Sequence, residues 1–369
     1  METGKIFWEN MGSKKMKIIL DCELMKHPNS GLYHYCLNLG ISVQKLLKQD
    51  GSGKMSFYVP PTEIKTFGES SRCIIEKKSI WNFFNPFLRN CNIWHAPFQS
   101  GRIFPDKKKY PGIKVLLTIH DLNPLHEDKP PGEQRKSLSH TQSLIDKSDA
   151  IVCISEFCKS DVLINCDVKG KRVYAIHNGT HKVHPPQLNA ASYKPTHPFL
   201  FGMGYVNTKK NYHVLLPLLK DETIELVIAG RLDEPDYIEQ MKQQALKMNV
   251  SDRLHILGPV SEGEKGWYFK NCLAFVHPSL AEGFGAPVVE VMQFGKPLFL
   301  SDRTALPEIG GDAAFYFSSF NPEHMRRVFA EGINRFENEK MTQKIISHGQ
   351  QFDWKEKAKE YLKVYQSLF

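Results

Sequence analysis

His277-Pro278-Ser279-Leu280-Ala281-Glu282-Gly283-Phe284-Gly285-Ala286-Pro287-Val288-Val289-Glu290 carries the clearest structural signal in this 369-residue chain. The apolar run Leu273 to Val276 before it reads as a buried strand. Pro287-Val-Val-Glu-Val-Met-Gln-Phe-Gly after it reads as a short helix, with Pro at an early position and Gly295 as the stop. The product is strand, glycine loop, helix. Such a loop aims free backbone N–H groups and the positive end of a helix dipole at whatever lies above it, which suits a phosphate.

Two carboxylates flank the loop: Glu282 before the helix and Glu290 in its first turn. Carboxylates repel phosphate, so their expected targets are hydroxyls, as on a sugar or a ribose. Eight residues of continuous helix would rise about 12 Å and turn the pair to different faces. Pro287 argues instead for Glu282 in the loop and Glu290 on the helix, reaching the two ends of one extended ligand. Sugar, diphosphate and nucleoside fit that order. Spacing alone is met equally by a surface loop after a core strand, with Glu290 as a helix N-terminal charge.

The stretch is similar to the E-x7-E signature of the retaining nucleotide-sugar glycosyltransferases of family 4. The likeness runs from Phe275 through Glu290 to Gly295-Lys-Pro-Leu, Leu306-Pro-Glu-Ile and Gly311-Asp-Ala-Ala. It implies an α/β chain of GT-B fold: two Rossmann-like, doubly wound parallel-sheet domains facing a central cleft, with a C-terminal helix crossing back to the N-terminal domain. The expected division is an extension over 1–15, an N-terminal acceptor-side domain over 16–182, a linker over 183–198, a nucleotide-sugar domain over 199–350 and the crossover helix over 351–369. The linker stands out by composition, since His, Pro, Ser and Thr replace apolar periodicity there.

Composition agrees with a globular protein, at 41% apolar and 24% charged residues. No run approaches the roughly 20 apolar residues of a membrane helix, and Met1 to Lys15 do not read as a secretory signal. The eight cysteines include no Cys-x-x-Cys pair, so reduced thiols in a cytoplasm are expected, with Cys153 and Cys272 as core residues. The formal charge of +8 is held by the front half: 28 Lys and Arg against 18 Asp and Glu over residues 1–200, and 20 against 22 thereafter. That asymmetry suits an anionic partner, such as the inner face of a membrane or a lipid-phosphate acceptor, and equally a solvated surface. No nucleic-acid motif accompanies it. The aromatic stretch Lys77 to Arg89 reads as packing on the first sheet, its alternative being a membrane interface.

Lys17-Ile-Ile-Leu-Asp reads as the first strand, followed by a polar loop into a helix. The resemblance gives Ser30 and Gly31 of that loop to acceptor or diphosphate, although an N-cap explains Asn29 or Ser30 as well. Ile93-Trp-His-Ala and Val115-Leu-Leu-Thr-Ile read as parallel strands. In doubly wound sheets ligands lie beyond the carboxyl ends of strands, where His95, His120 and Asp121 fall. His120-Asp121 resembles the family's Thr-x-His-Asp stretch beside the reacting sugar, with the histidine as a hydrogen-bond donor to a hydroxyl or a positioner of the acceptor. Asn178, in Asn178-Gly179, would face the cleft.

Phe199-Leu-Phe-Gly-Met-Gly opens the second half as a strand, and Val214 to Leu219 reads as a helix. Gly202 and Gly204 lack the third glycine of a dinucleotide fingerprint. Lys210-Asn211 resembles the family's Lys-Asn pair, whose lysine neutralises the departing diphosphate, and Tyr205 stands where the family's Gly-Arg puts arginine. Lys209 or Arg231 is then a candidate substitute, although a solvated surface lysine explains Lys209 as well. The resemblance therefore implies catalytic roles for His120, Glu282 and Lys210. It implies substrate contacts for Ser30, Gly31, Asp121, Asn178, Gly204, Lys209, Arg231, Gly283, Phe284, Gly285, Ala286 and Glu290. The expected partners are a nucleotide-sugar, GDP-mannose before a UDP-sugar, and a glycan or lipid-linked acceptor, with neither metal nor cofactor. A sugar-nucleotide-binding scaffold without turnover is the alternative that Tyr205 supports.

Overall fold

The computed structural model describes residues 15–28, 30–76, 86–100, 103–180, 182–183, 191–220 and 223–369. Most of the expected 1–15 extension, residues 77–85 of the aromatic stretch and 184–190 of the linker lie outside the described residues.

The first half alternates strands and helices: β1 (Met16–Asp21), α1 (Gly31–Asp50), β2 (Gly53–Val59), β3 (Arg72–Ile75), β4 (Ile93–Ala96), β5 (Lys114–Ile119), α2 (Pro131–Lys147), β6 (Ala150–Cys153), α3 (Glu156–Asn165) and β7 (Arg172–Ala175). The second half continues with β8 (Phe199–Met203), β9 (Glu225–Ala229), α4 (Pro235–Lys247), β10 (Leu254–Gly258), α5 (Glu262–Asn271), β11 (Ala274–His277), α6 (Ala286–Met292), β12 (Leu298–Ser301), α7 (Leu306–Gly310) and β13 (Phe315–Phe317). Helices α8 (Pro322–Asn338), α9 (Thr342–Gly349) and α10 (Trp354–Leu368) close the chain.

Among the described residues the strands form two parallel sheets, ordered β3-β2-β1-β4-β5-β6-β7 and β10-β9-β8-β11-β12-β13. Each is a doubly wound sheet whose order reverses beside its first strand. Central strands are apolar on both faces because helices cover both sides. Ala274 to His277, Leu298 to Ser301 and Glu225 to Ala229 are buried at every position. Cys153 and Cys272 are buried core residues.

The last helix, α10, returns to the first sheet. Tyr361 Oη lies 2.6 Å from Tyr35 Oη of α1, and Tyr365 Oη lies 2.7 Å from His95 Nδ1 at the end of β4. His95 Nε2 meets Thr118 Oγ1 at 2.8 Å, so both ring nitrogens of this fully buried histidine are bonded. Its strand-end position is structural, because burial between sheet and helix demands partners for each polar atom.

The expected helix over Val214 to Leu219 is a 3₁₀ segment, Tyr212–Leu219, with Pro217 inside it. Proline has no N–H to give an α-helical ladder, which accounts for the tighter form. No helix among the described residues is long and apolar enough to cross a membrane.

Candidate active site

The second sheet reverses order between β8 and β11, and the loops that leave these strands form one crevice. Asn207 caps the short turn Thr208–Lys210, its side chain accepting the Lys210 N–H at 3.2 Å. Asn211, held at φ 59°, donates from Nδ2 to the Pro278 carbonyl at 3.2 Å, and the Leu280 N–H donates to the Lys209 carbonyl at 2.8 Å. The lysine loop is thus stitched to the Pro278–Leu280 loop, and that brings Lys210 to Glu282.

Glu282 Oε1 accepts from Lys210 Nζ in a buried ion pair and from His277 Nε2 at 2.8 Å. The Glu282 N–H donates to Thr304 Oγ1 at 2.8 Å, which fixes the backbone as well. Burial pushes the carboxyl up, but the Lys210 ammonium and the His277 bond outweigh it and hold Glu282 well below the usual carboxylate range. Both side-chain bonds fall on Oε1, so Oε2 is the oxygen left for a ligand. The loop then turns at Gly285, φ 89°, into α6. That helix has only seven residues, and Glu290 sits in its second turn, a correction to the first-turn expectation. With so short a helix, the lysines and loop N–H groups carry more of the positive potential than a macrodipole does.

The opposite wall is the end of β5. His120 Nε2 is 2.8 Å from the Pro97 carbonyl, and its ring is packed edge-on by Tyr35 (4.8 Å) and Phe98 (5.4 Å). Burial lowers its pKa to about 4, so the ring is neutral at pH 7. A carbonyl only accepts, hence the proton is on Nε2 and Nδ1 carries the free lone pair. His120 can therefore accept a hydrogen bond from a sugar hydroxyl; the expected donation at pH 7 is already spent on Pro97. Asp121 has its carboxyl raised by burial, and Asn123 N–H donates to its Oδ1 at 3.1 Å.

The walls touch. A Cβ built on Gly283 would lie 2.1 Å from the His120 carbonyl oxygen, so glycine is what lets the loop reach β5. Lys209 Nζ lies 3.8 Å from Glu127 Oε1 across the same gap. Burial alone would lower the Lys209 pKa, but Glu282, Asp121 and Glu127 together raise it, keeping the side chain charged.

Other expected residues fall around this centre. Glu290 pairs with Lys265 Nζ at 3.2 Å, and Lys265 also holds Glu262 at 2.8 Å. The Arg231 guanidinium lies over the Tyr205 ring, 4.3 Å from its centroid, and pairs with Asp233. The guanidinium thus lies beside Tyr205, the residue that the resemblance sets at the family's arginine position. Gly204 has φ 141°, and Lys210 Cε lies 3.2 Å from where its Cβ would be. Ala286 is exposed, whereas the Phe284 ring is buried against His177 and Phe352, leaving only its backbone for a ligand. Ser30 caps α1, accepting the Tyr33 N–H at 3.2 Å, and Gly31 begins that helix facing open space. Asn178 keeps a buried Oδ1 without a partner among the described residues.

Three participants escaped the sequence reading. His277 ends a strand, as His120 does, so the strand-end rule applied to β11 would have found it. Lys265 and Glu308 have no local signal. Glu308 of α7 accepts the Glu156 and Phe157 N–H groups of α3 at 2.7 and 2.8 Å and pairs with His177, joining the two halves. Among the described residues no group of three or more His, Cys, Asp or Glu is placed to hold a metal ion.

Two buried neutral histidines set an acid limit. The His95 and His120 pKa values, lowered by burial to about 3 and about 4, lie below the ordinary 6.5. The unfolded chain therefore binds more protons across that window, and stability falls as pH drops from about 6.5 toward 4. Each is expected to cost about 2 kcal/mol by pH 5, measurable as a falling urea midpoint. His95→Gln should flatten part of that slope.

Two doubly wound sheets with a charged crevice at the switch point of the second, closed over by the first and strapped by a returning helix, define the GT-B class. The family description "Glycosyltransferase Family 4" matches residues 80–182, and "Glycosyl transferases group 1" matches 188–358. The O-antigen chain mannosyltransferase B of Escherichia coli is 21% identical over 96% of this chain and 100% of its own. The serotype-specific mannosyltransferase WbdA of Escherichia coli is 24% identical over 60% of this chain, which spans only 29% of that relative's length. Among solved structures, sucrose-phosphate synthase from Thermosynechococcus elongatus superimposes with a TM-score of 0.72 at 16% identity, covering 96% of this chain and 99% of the other. Anabaena HepE in complex with UDP and glucose gives 0.70 at 16%, covering 95% and 100%. The chain belongs to the family 4 glycosyltransferases of GT-B fold.

Proposed function

We propose that this chain transfers a hexose, mannose first, from a nucleotide-sugar to a hydroxyl of a glycan or lipid-linked acceptor in cell-surface polysaccharide assembly, with retention at the anomeric carbon. The observation that carries the reading is the Lys210–Glu282 pair beside the Gly283–Ala286 loop, with His120 and Asp121 facing it. The bond from C1 to the diphosphate oxygen breaks and its electron pair leaves with the diphosphate. The acceptor oxygen bonds to C1 on the same face, and its proton passes to the departing phosphate oxygen. Lys210, Lys209, Arg231 and the loop N–H groups offset the charge that develops, so protein cations do the work a metal does elsewhere. Glu282 Oε2 holds donor-sugar hydroxyls, the His120 lone pair accepts from another, and Glu290, oriented by Lys265, takes the ribose.

Mannose is favoured by the mannosyltransferase relatives; a UDP-sugar is the alternative donor. The basic front half supports cytoplasmic work at the inner face of a membrane, where a lipid-linked acceptor would lie. Binding without turnover is the second reading, because Tyr205 replaces an arginine; Arg231 stacked on that ring weighs against it. A thermal-shift panel of GDP, UDP and ADP with their sugar conjugates tests the assignment. At 100 times its dissociation constant the right ligand adds about 2.7 kcal/mol of stability. GDP-mannose should give the largest shift. Donor consumption with a lipid acceptor then separates turnover from binding.

A further inference from the structure

His277 is fully buried at the end of β11, stacked near-parallel on Phe275 at 5.9 Å. Its pKa is lowered by burial and by the neighbouring Lys210 ammonium, which makes the ring neutral. Glu282 is ionised, so the 2.8 Å bond between them is an Nε2–H donated to Oε1. His277 Nδ1 is then an unprotonated nitrogen with no partner among the described residues. A buried imidazole with one satisfied nitrogen is costly, and its bond to Glu282 is what the arrangement obtains in return.

Lys210 donates to the same oxygen. Its ammonium has three N–H groups on a flexible stem, whereas the imidazole is rigid and walled in. We infer that His277 is a positioning residue that fixes Glu282 Oε1, so that Oε2 stays aimed at the donor sugar when Lys210 turns to the diphosphate. Lys210 serves the phosphates and His277 the sugar end, although both touch one carboxylate oxygen. The inference rests on the nucleotide-sugar reading above and adds a division of labour to it.

The test is calorimetric titration of GDP and GDP-mannose, with the UDP pair in parallel, into the full-length wild type, His277→Leu and His277→Gln, with thermal unfolding confirming that each is folded. Leucine removes the donor. Glutamine restores an N–H near the Nε2 position. In the wild type the sugar conjugate should bind more tightly than its bare diphosphate. His277→Leu should lose roughly ten-fold in affinity for the conjugate while the diphosphate changes little, as for the loss of one hydrogen bond to a charged group. His277→Gln should recover most of it. Equal losses for both ligands, or no loss for either, would overturn the positioning role, as would failure of glutamine to rescue a folded protein. If the wild type gains nothing from any attached sugar, the nucleotide-sugar reading itself falls.

Discussion

Lys210→Ala is expected to lower turnover by about 10²- to 10³-fold, the effect of removing one donor aimed at charge that develops in the transition state. The reason lies in the crevice. Lys210 is the cation bound directly to Glu282, and both side chains are about nine-tenths buried, so water supplies little screening when the diphosphate departs. Burial lowers the Lys210 pKa and Glu282 opposes only part of that fall, while the ion pair itself keeps the ammonium at the carboxylate until a better-placed anion arrives. Truncation also strands Glu282, leaving His277 as its side-chain donor. Breaking a buried pair in this way costs about 3–5 kcal/mol of stability, so turnover must be measured at a temperature where the variant is folded. Glu282→Gln should be less than additive with Lys210→Ala, because the two groups act as a unit. Steady-state kinetics with a radiolabelled donor decides it. Turnover within tenfold of wild type in folded Lys210→Ala would remove the lysine from the chemistry.

Gly283→Ala is expected to reduce kcat/KM by about 10²-fold while leaving diphosphate affinity within a few-fold. The added methyl would stand 2.1 Å from the His120 carbonyl oxygen and 3.1 Å from Asp121 Cβ. A backbone oxygen at the end of a buried strand does not swing aside as the tip of a long side chain does, so the two halves must part. Separation by an ångström draws His120 and Asp121 away from the sugar, and misplacement of that size is costly in rate. On the proposed reading the nucleotide is held by the second sheet's loops, Lys210 and Glu290, all on one side of the gap, so its binding should survive. The pairing of a rate defect with intact binding is the mark of impaired closure. Loss of both would instead mean that the loop has collapsed.

The parts of this architecture that were legible in the sequence are those written in local pattern. The run Leu273 to Val276, the glycines and Pro287 announce strand, loop and helix because each acts through its own backbone preferences. The returning C-terminal helix is expected only from the resemblance, and α10 fulfils it by burying Tyr361 against Tyr35 and Tyr365 against His95. The 3₁₀ form of Tyr212–Leu219 was missed because apolar content outweighed Pro217 in the reading. What could not be read is what the fold brings from afar. Glu308 meets α3 across 152 and 151 residues of chain, and nothing near Leu306-Pro-Glu-Ile shows that its carboxylate caps another helix. Lys265 reaches Glu290 from the preceding helix. The direction of the His120 bond depends on the Pro97 carbonyl, 23 residues away, which fixes the ring as an acceptor. Tyr205 signals a missing cation, but only the meeting of the β8 and β9 ends shows Arg231 stacked upon it.

A nucleotide's diphosphate is expected between Glu282 and Glu290, against Lys210 and the loop amides. A crystal structure of the chain soaked with GDP-mannose tests it directly. The expected map has the β-phosphate within hydrogen-bonding distance of Lys210 Nζ and the Gly283 to Ala286 N–H groups, the ribose at Glu290 and the hexose at Glu282 Oε2. Diphosphate bound elsewhere on the chain, with the Lys210–Glu282 pair untouched and both carboxylates empty of hydroxyls, would contradict it.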